Sequence, residues 1–320
     1  MKITIIGAGA AGSVIASFLK LGGADVYLVD LNTAHMDKVA AEGMHFIEKG
    51  NARLITGFHT SYTPQFIEEM DIIIIMVKAL HTENVIRSIY RDIGENTVVV
   101  SLQNGLGNEQ TLRKYVPEDR IIYGFGTIGT ELPEPGFCIS KPELGVNMHY
   151  GPLKDSELSR AAGEYLQQCF LDGGCKTRFE EDVRPYLWKK AISSSAYNTL
   201  SALMRMKVGP MIRNEDGMEL IQMIWKEGCE VAKAVIGIDL WPTLQSEFPR
   251  LRTSLSTYYP SMAQDVLFFQ RQTEVRQLNG AIADYGAKYG IPTPLNTALT
   301  HMVTCIEDNY DALYVKRQKF

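Results

Sequence analysis

Lys2-Ile3-Thr4-Ile5-Ile6 runs without a break into Gly7-Ala8-Gly9-Ala10-Ala11-Gly12, and then into an apolar stretch from Ser13 to Leu21. A short apolar strand, a glycine-rich turn and a helix in that order form a cradle for the phosphates of a nucleotide. Gly7 allows the tight turn, Gly9 lets the backbone approach a pyrophosphate, and Gly12 lets the helix pack on the strand. Ala8, Ala10 and Ala11 complete a loop whose amides, at the start of the helix, face the phosphates. Glycines also punctuate ordinary turns, but here the context is right on both sides. A second strand, Asp25 to Val29, ends at Asp30, an acid placed to accept hydrogen bonds from both hydroxyls of an adenosine ribose. Asp30 would repel a 2′-phosphate, and no basic residue occurs from Leu31 to Met36, so the expected cofactor is NAD(H) in preference to NADP(H). The other use of Asp30 is as a cap on the next helix, which Asn32 could supply equally well.

Outward from this start, strand and helix alternate. The strands are Lys2 to Ile6, Asp25 to Val29, Ile72 to Val77 and Val98 to Ser101, with helices after Gly12, Asn32 and Thr82. That alternation predicts an α/β domain with a doubly wound parallel sheet of the Rossmann type. A hairpin across Glu48-Lys49-Gly50-Asn51 is expected to append an edge to the sheet. Further strands follow at Ile121 to Gly126, Phe137 to Ser140 and Val146 to Tyr150, then a helix from Ser156 to about Phe170 and a closing strand near Lys176 to Phe179. From Glu180 the pattern changes. Asp182 to Met204, Glu215 to Ile236, Ser261 to Tyr289 and Pro294 to Asn309 all carry apolar residues at helical spacing. The expected division is a dinucleotide-binding domain over residues 1–179 and an all-helical substrate and catalytic domain over 180–320, with the substrate in a cleft between them.

Composition narrows the class. The 320 residues suit two domains, 45% are apolar and 22% charged, and a net charge of −5 leaves no footprint for nucleic acid or an anionic membrane. The partner expected is a small molecule. Met1 leads straight into the first strand with no room for a signal segment, and the longest apolar run, Ile72 to Val77, is too short to span a bilayer, so a cytoplasmic protein is expected. Cys138, Cys169, Cys175, Cys229 and Cys305 are scattered and form no pair with histidine at metal-ligand spacing, so reduced, mostly buried thiols and no metal are expected.

Several residues carry chemistry. Lys190, Ser194 and Asn198 are four apart and project from one face of the helix that begins near Asp182, a polar line among Leu187, Ile192 and Leu200. Spacing alone also allows Lys189 and Lys190 to be a solvated face. Glu274 lies in an otherwise apolar helical region where a charge needs a partner, and Lys190 across the cleft is a candidate, although two surface residues would look the same. Gln103-Asn104-Gly105-Leu106-Gly107 follows a strand's carboxyl end, where open parallel sheets bind ligands, and Asn104 can bond both a cofactor amide and a substrate oxygen. Lys78 ends a strand in the same layer and could face the phosphates or a substrate carboxylate, or simply water. His81, near the same strand end, suits a cap or solvent. There is no GxSxG elbow and no Walker lysine, so acyl and phosphoryl transfer have no support.

In these features the chain resembles the ketopantoate reductase (2-dehydropantoate 2-reductase) family over nearly its whole length. The motifs are GAGAAG at Gly7, VKA at Val77, QNGLGNE at Gln103, LWKK at Leu187 with Asn198 beyond, SMAQD at Ser261, TE at Thr273, LNG at Leu278 and GIPTPLN at Gly290. The resemblance implies a helical C-terminal domain like that of 6-phosphogluconate dehydrogenase. It also implies Lys190 as general acid, Glu274 and Ser261 in contact with substrate or cofactor, Asn104 in contact with both, and Asn198 in substrate binding. Reduction of a 2-oxo acid delivers hydride to the carbonyl carbon, and the oxygen then needs a proton that a lysine desolvated toward neutrality can give. The chain departs from the family where an asparagine is usual at Ser194 and frequent at Val208, in one extra residue between Asp265 and Glu274, and in the acid at Asp30 where NADPH-using members tend to be basic. One residue turns a helix by about 100°, so either a loop or a π-bulge must absorb it.

The expected activity is therefore reduction of ketopantoate or a related, less hydroxylated 2-oxo acid. The alternatives are a 3-hydroxyacid or opine-type dehydrogenase of the same plan, or a catalytically silent NAD(H)-binding sensor. Aromatic pairs at Tyr186 and Trp188, Tyr258 and Tyr259, and Phe268 and Phe269 suit either a homodimer through the helical domain or its core.

Overall fold

The computed structural model describes residues 1–141, 145–252 and 258–313. They form two compact units, Met1–Val183 and Arg184–Phe320.

The first unit runs β1 (Lys2–Ile6), α1 (Ala10–Leu21), β2 (Asp25–Val29), α2 (Thr33–Glu42), β3 (Met44–Glu48), β4 (Asn51–Ile55), β5 (His59–Ser61), β6 (Ile72–Ile75), α3 (Thr82–Ile89), β7 (Val98–Ser101), α4 (Asn108–Leu112), β8 (Ile121–Gly126), β9 (Gly129–Glu131), β10 (Phe137–Lys141), β11 (Met148–Pro152), α5 (Glu157–Asp172) and β12 (Thr177–Phe179). Eight strands lie in the order β12-β11-β8-β7-β6-β1-β2-β5, all parallel except the β11 to β8 pairing, and both outermost strands are three residues long. Successive side chains of a strand point to opposite faces, and helices cover both faces here, so the central strands are apolar at most positions of both faces. Ile72 and Ile74 join Ile3, Ile5, Val98 and Val100 in a core under α1 and α5, while Ile73 and Ile75 join Ile6, Val99 and Ile121 in a second core under α3 and α4. All four isoleucines of β6 are fully buried, each stabilising the unit by roughly 2 kcal/mol.

The hairpin at Lys49-Gly50 departs from expectation. It joins β3 and β4, but they do not extend the main sheet; they form a separate sheet in the order β4-β3-β10-β9, with β10 parallel to β3. This small sheet packs on α1, where Phe18 meets Phe46 edge-on at 5.1 Å, so its apolar face extends the core that lies between the main sheet and α1.

The second unit is helical: α6 (Arg184–Met204), α7 (Val208–Arg213), α8 (Glu215–Ile236), α9 (Trp241–Gln245), α10 (Phe248–Arg252), α11 (Ser261–Gln264), α12 (Asn279–Tyr289) and α13 (Pro294–Glu307). Asn214 caps α8 by accepting from the Gly217 amide at 2.9 Å, and Gly237 ends it in the left-handed region. α6 packs closely on α8, since a Cβ on Gly228 would lie 2.8 Å from Ile192.

The single helical stretch expected from Ser261 to Tyr289 is broken. α11 passes into a π-helical turn, Asp265–Phe269, Gln270 adopts φ +47°, and an irregular strand of chain leads to a 3-10 turn at Val275–Gln277 before α12. Apolar residues lie on both sides of the break, where Val266 and Val275 are buried, so the stretch reads in sequence as one run.

Candidate active site

Register brings one set of residues to one end of the main sheet. Val29 pairs with Ile6, Ile6 with Ile75, and Ile75 with Ser101, so Asp30, the loop from Gly7 to Gly12, Lys78 and Asn104 all follow the carboxyl ends of adjacent strands. Ligands of open parallel sheets bind at that end. The turn after β1 has no room for side chains. Gly7 has φ +102° and a Cβ there would lie 2.5 Å from the Val77 amide nitrogen, while a Cβ on Gly12 would lie 2.0 Å from the Gly7 carbonyl oxygen. At Gly9, by contrast, a Cβ meets nothing within 4 Å. α1 starts with Gly9 as its cap and no capping side chain, which leaves its first turn suited to an anion. The loop therefore fits a dinucleotide's pyrophosphate.

Asn32, and not Asp30, caps α2: its Oδ1 accepts from the His35 amide at 3.2 Å. Asp30 Oδ1 instead accepts from the Asn32 amide at 2.8 Å, which fixes the carboxylate just beyond β2. Gln103, quoted above only as part of a motif, is a tie. Its Nε2 donates to the Val77 carbonyl at 2.6 Å and to Thr82 Oγ1 at 2.8 Å, and its Oε1 accepts from Ser101 Oγ at 2.8 Å. It thereby locks the strand end that carries Lys78 to the one that carries Asn104. Asn108 Nδ2 donates to the Asn104 carbonyl at 3.1 Å and holds that turn from the other side. His81 is exposed and makes no side-chain cap for α3.

In the second unit, Lys190, Ser194 and Asn198 form a half-buried ledge along α6, bounded by buried Ala191, Ile192, Ser195, Ala196 and Thr199. Lys189 is differently engaged, in an ion pair with Glu247 at 2.5 Å. α11, with Ser261 exposed at its first position, packs against α6. The segment that follows is pinned at several points. Arg271 Nε donates to Asp265 Oδ1 at 2.5 Å, the Tyr310 hydroxyl donates to the Arg271 carbonyl at 2.7 Å, and the Thr273 amide donates to Glu307 Oε1 at 2.6 Å. Glu274 thus sits half-buried in an anchored irregular stretch and not in an apolar helix, and it belongs to the same unit as Lys190. Val208 is buried at the start of α7.

Beneath the ledge lies a polar network that periodicity could not show. Glu227 accepts from the Leu295 and Asn296 amides, both at 2.9 Å, and from Asn296 Nδ2 at 2.8 Å. Asn279 Nδ2 donates to Asn296 Oδ1 and to the Ser195 carbonyl, both at 3.0 Å. The asparagines of the LNG and PLN motifs therefore join α8, α12 and α13 to the backbone of α6 next to Ser194.

Among the described residues no group of three or more metal-ligating side chains occurs, and no helix is long and apolar enough to cross a membrane. Four of the cysteines are buried and free while Cys305 is exposed. Burial pushes the Cys138 thiol up to about 11 and those of Cys175 and Cys229 up to about 12, so none of these three is a poised nucleophile.

A parallel sheet with a glycine cradle, followed by helices that present a lysine, places the chain among two-domain Rossmann-type oxidoreductases. The profile described as ketopantoate reductase PanE/ApbA matches residues 3–143, and its C-terminal counterpart matches residues 182–307; the chain belongs to the ketopantoate reductase family. It is 31% identical to the 2-dehydropantoate 2-reductase of Aquifex aeolicus over 96% of this chain and 97% of that one. With the enzyme of the same name from Archaeoglobus fulgidus it shares 30% identity over 96% and 98% of the two chains. Among solved structures, a D-mandelate dehydrogenase with NADH and anilino(oxo)acetate superposes with a TM-score of 0.87 at 27% identity, covering 98% of this chain and all of that one. A PanE/ApbA family ketopantoate reductase from Ralstonia eutropha JMP134 superposes with a TM-score of 0.83 at 25% identity, covering 97% and 100%.

Proposed function

We propose that this protein reduces a small 2-oxo acid with a nicotinamide dinucleotide as hydride source, NAD(H) being preferred to NADP(H), and with Lys190 as general acid. The first unit is the cofactor half: Gly7 to Gly12 receive the pyrophosphate, Asp30 the ribose hydroxyls, and Lys78 and Asn104 the region near the nicotinamide. The nicotinamide, when bound, supplies the hydride. The second unit does the rest with its own side chains. Lys190 Nζ gives a proton to the carbonyl oxygen and offsets the charge that develops there. Ser194, Asn198 and Ser261 orient the acid through hydroxyl and amide donors, and Glu274 accepts a hydrogen bond at the cofactor or substrate. The observation that carries this reading is the half-buried line of Lys190, Ser194 and Asn198 on α6. A screen of NADH and NADPH oxidation over a panel of 2-oxo acids that includes ketopantoate tests it. Turnover faster with NADH supports the reading; cofactor binding without turnover on any acid favours a silent sensor.

A second substrate has support of its own. Ser194 brings no amide and Val208 is buried, so the site offers fewer polar partners to a hydroxylated acid such as ketopantoate. The D-mandelate dehydrogenase structure shows an aromatic oxo acid accommodated on the same fold at a TM-score of 0.87. A kcat/KM for phenylglyoxylate above that for ketopantoate would establish an apolar 2-oxo acid as the preferred class.

A further inference from the structure

His35 in α2 and Ser13 in α1 are both fully buried, and neither belongs to the constellation above. The Gly136 amide donates to His35 Nδ1 at 2.9 Å, so Nδ1 carries the lone pair and the proton of the neutral ring lies on Nε2. Nε2 stands 3.0 Å from Ser13 Oγ, and the Ser13 hydroxyl is 2.8 Å from the Ala8 carbonyl oxygen. The direction of the chain is forced at both ends, because an amide N–H only donates and a carbonyl only accepts. Gly136 therefore donates to His35, His35 to Ser13, and Ser13 to Ala8.

Ala8 lies in the glycine loop. Across a trans peptide the C=O and N–H point to opposite sides, and no peptide among the described residues is cis. Drawing the Ala8 oxygen onto Ser13 turns the Gly9 N–H the opposite way, in a loop open enough at Gly9 that a Cβ there would meet nothing within 4 Å. We propose that His35 is a positioning residue for the dinucleotide, acting through Ser13 to aim the Gly9 amide at the pyrophosphate. Gly136, whose carbonyl accepts from the His45 amide at 2.8 Å, ties that aim to the small sheet of β3 and β10. The proposal rests on the dinucleotide reading of the loop and adds to it a residue outside the loop that sets its geometry.

The test is titration of the full chain with NADH, followed by nicotinamide fluorescence, for the wild type, Ser13→Ala, His35→Asn and the double variant. Ser13→Ala removes one oxygen and is expected to raise the Kd about tenfold, the worth of a lost buried hydrogen bond. His35→Asn keeps an acceptor for Gly136 but falls short of Ser13, and is expected to weaken binding similarly. The double variant should bind no worse than the weaker single one, since all three break one chain. With NADH saturating, kcat should stay within about twofold, which separates aim from general damage. A folded Ser13→Ala variant with wild-type Kd overturns the proposal, as do additive losses in the double variant. Should His35→Asn fail to fold, Ser13→Ala decides alone. If the wild type binds NADH and Ser13→Ala binds it equally, the positioning role falls and the reductase reading stands; if the wild type binds neither NADH nor NADPH, both fall.

Discussion

Arg271 holds Asp265 twice: Nε donates to the Oδ1 of its carboxylate at 2.5 Å, and the Arg271 amide donates to the Asp265 carbonyl at 3.2 Å. Side chain and main chain of the same two residues thus close the π-helical turn that precedes Glu274. The Asp265 carboxylate is buried whereas the Arg271 guanidinium is half exposed and lies over the Phe269 ring at 4.5 Å. Removal of Arg271 therefore leaves a buried charge without this donor. Arg271→Ala is expected to lower stability by about 1–2 kcal/mol and kcat/KM for the oxo acid by about tenfold, with the Kd of NADH unchanged. Urea unfolding and steady-state kinetics read the two effects.

Lys190→Ala should lower kcat by roughly a hundredfold while cofactor affinity is kept. Lys189, paired with Glu247, is the control. Lys189→Ala should keep kcat within about twofold, because a partly exposed ion pair outside the ledge contributes little. Equal losses in both variants would remove Lys190 from the chemistry.

Asp30 is the residue proposed to favour NAD(H). Asp30→Ala should raise the KM for NADH about tenfold and narrow the preference over NADPH, since the loss removes a charged acceptor for the ribose and a repulsion toward phosphate at once. The ratio of kcat/KM for the two cofactors measures it.

His35 makes stability fall in acid. Burial holds its folded pKa below the ordinary 6.5, against an opposing pull from Asp30. The unfolded chain therefore takes up this proton more readily, so the contribution of the neutral ring is complete above pH 6.5 and shrinks as the pH falls below that value toward the folded pKa. Urea midpoints measured from pH 7.5 to 5 should decline for the wild type, and less steeply for His35→Asn.

Asn296 is expected to be the most sensitive polar position of the helical unit. It is fully buried, gives two donors to Glu227 and accepts from Asn279. Asn296→Ala keeps the backbone donor to Glu227 but removes the Nδ2 donor and the acceptor for Asn279 Nδ2, at a cost of about 1–3 kcal/mol, read as a drop in urea midpoint.

What the sequence revealed depended on whether a signal was local. β6 and β7 were legible because strands covered on both faces are apolar at nearly every position, and α8 because its apolar residues recur at helical spacing. The break after Gln264 was hidden. Apolar residues such as Val266 and Val275 stand on both sides of it and read as one run, and only the extra residue before Glu274 pointed to a loop or a π-bulge. The hairpin at Lys49-Gly50 was visible, but its sheet partner is β10, far along the chain. The same distance concealed the bonds from Glu227 to Asn296, 69 residues apart, and from His35 to Gly136, 101 apart. Gln103 stood in a quoted motif, yet its bond to Val77 follows only from the register of two strands.

The two ends of the main sheet have a consequence for how the protein behaves in a crowded solution. A long bare edge strand is a template on which another chain can add itself, the first step toward fibrils. Here the eight strands finish in β5 and β12, each only three residues long. Each end exposes too little backbone to seed such growth, so the sheet that carries the glycine cradle is also blunted against recruiting copies of itself.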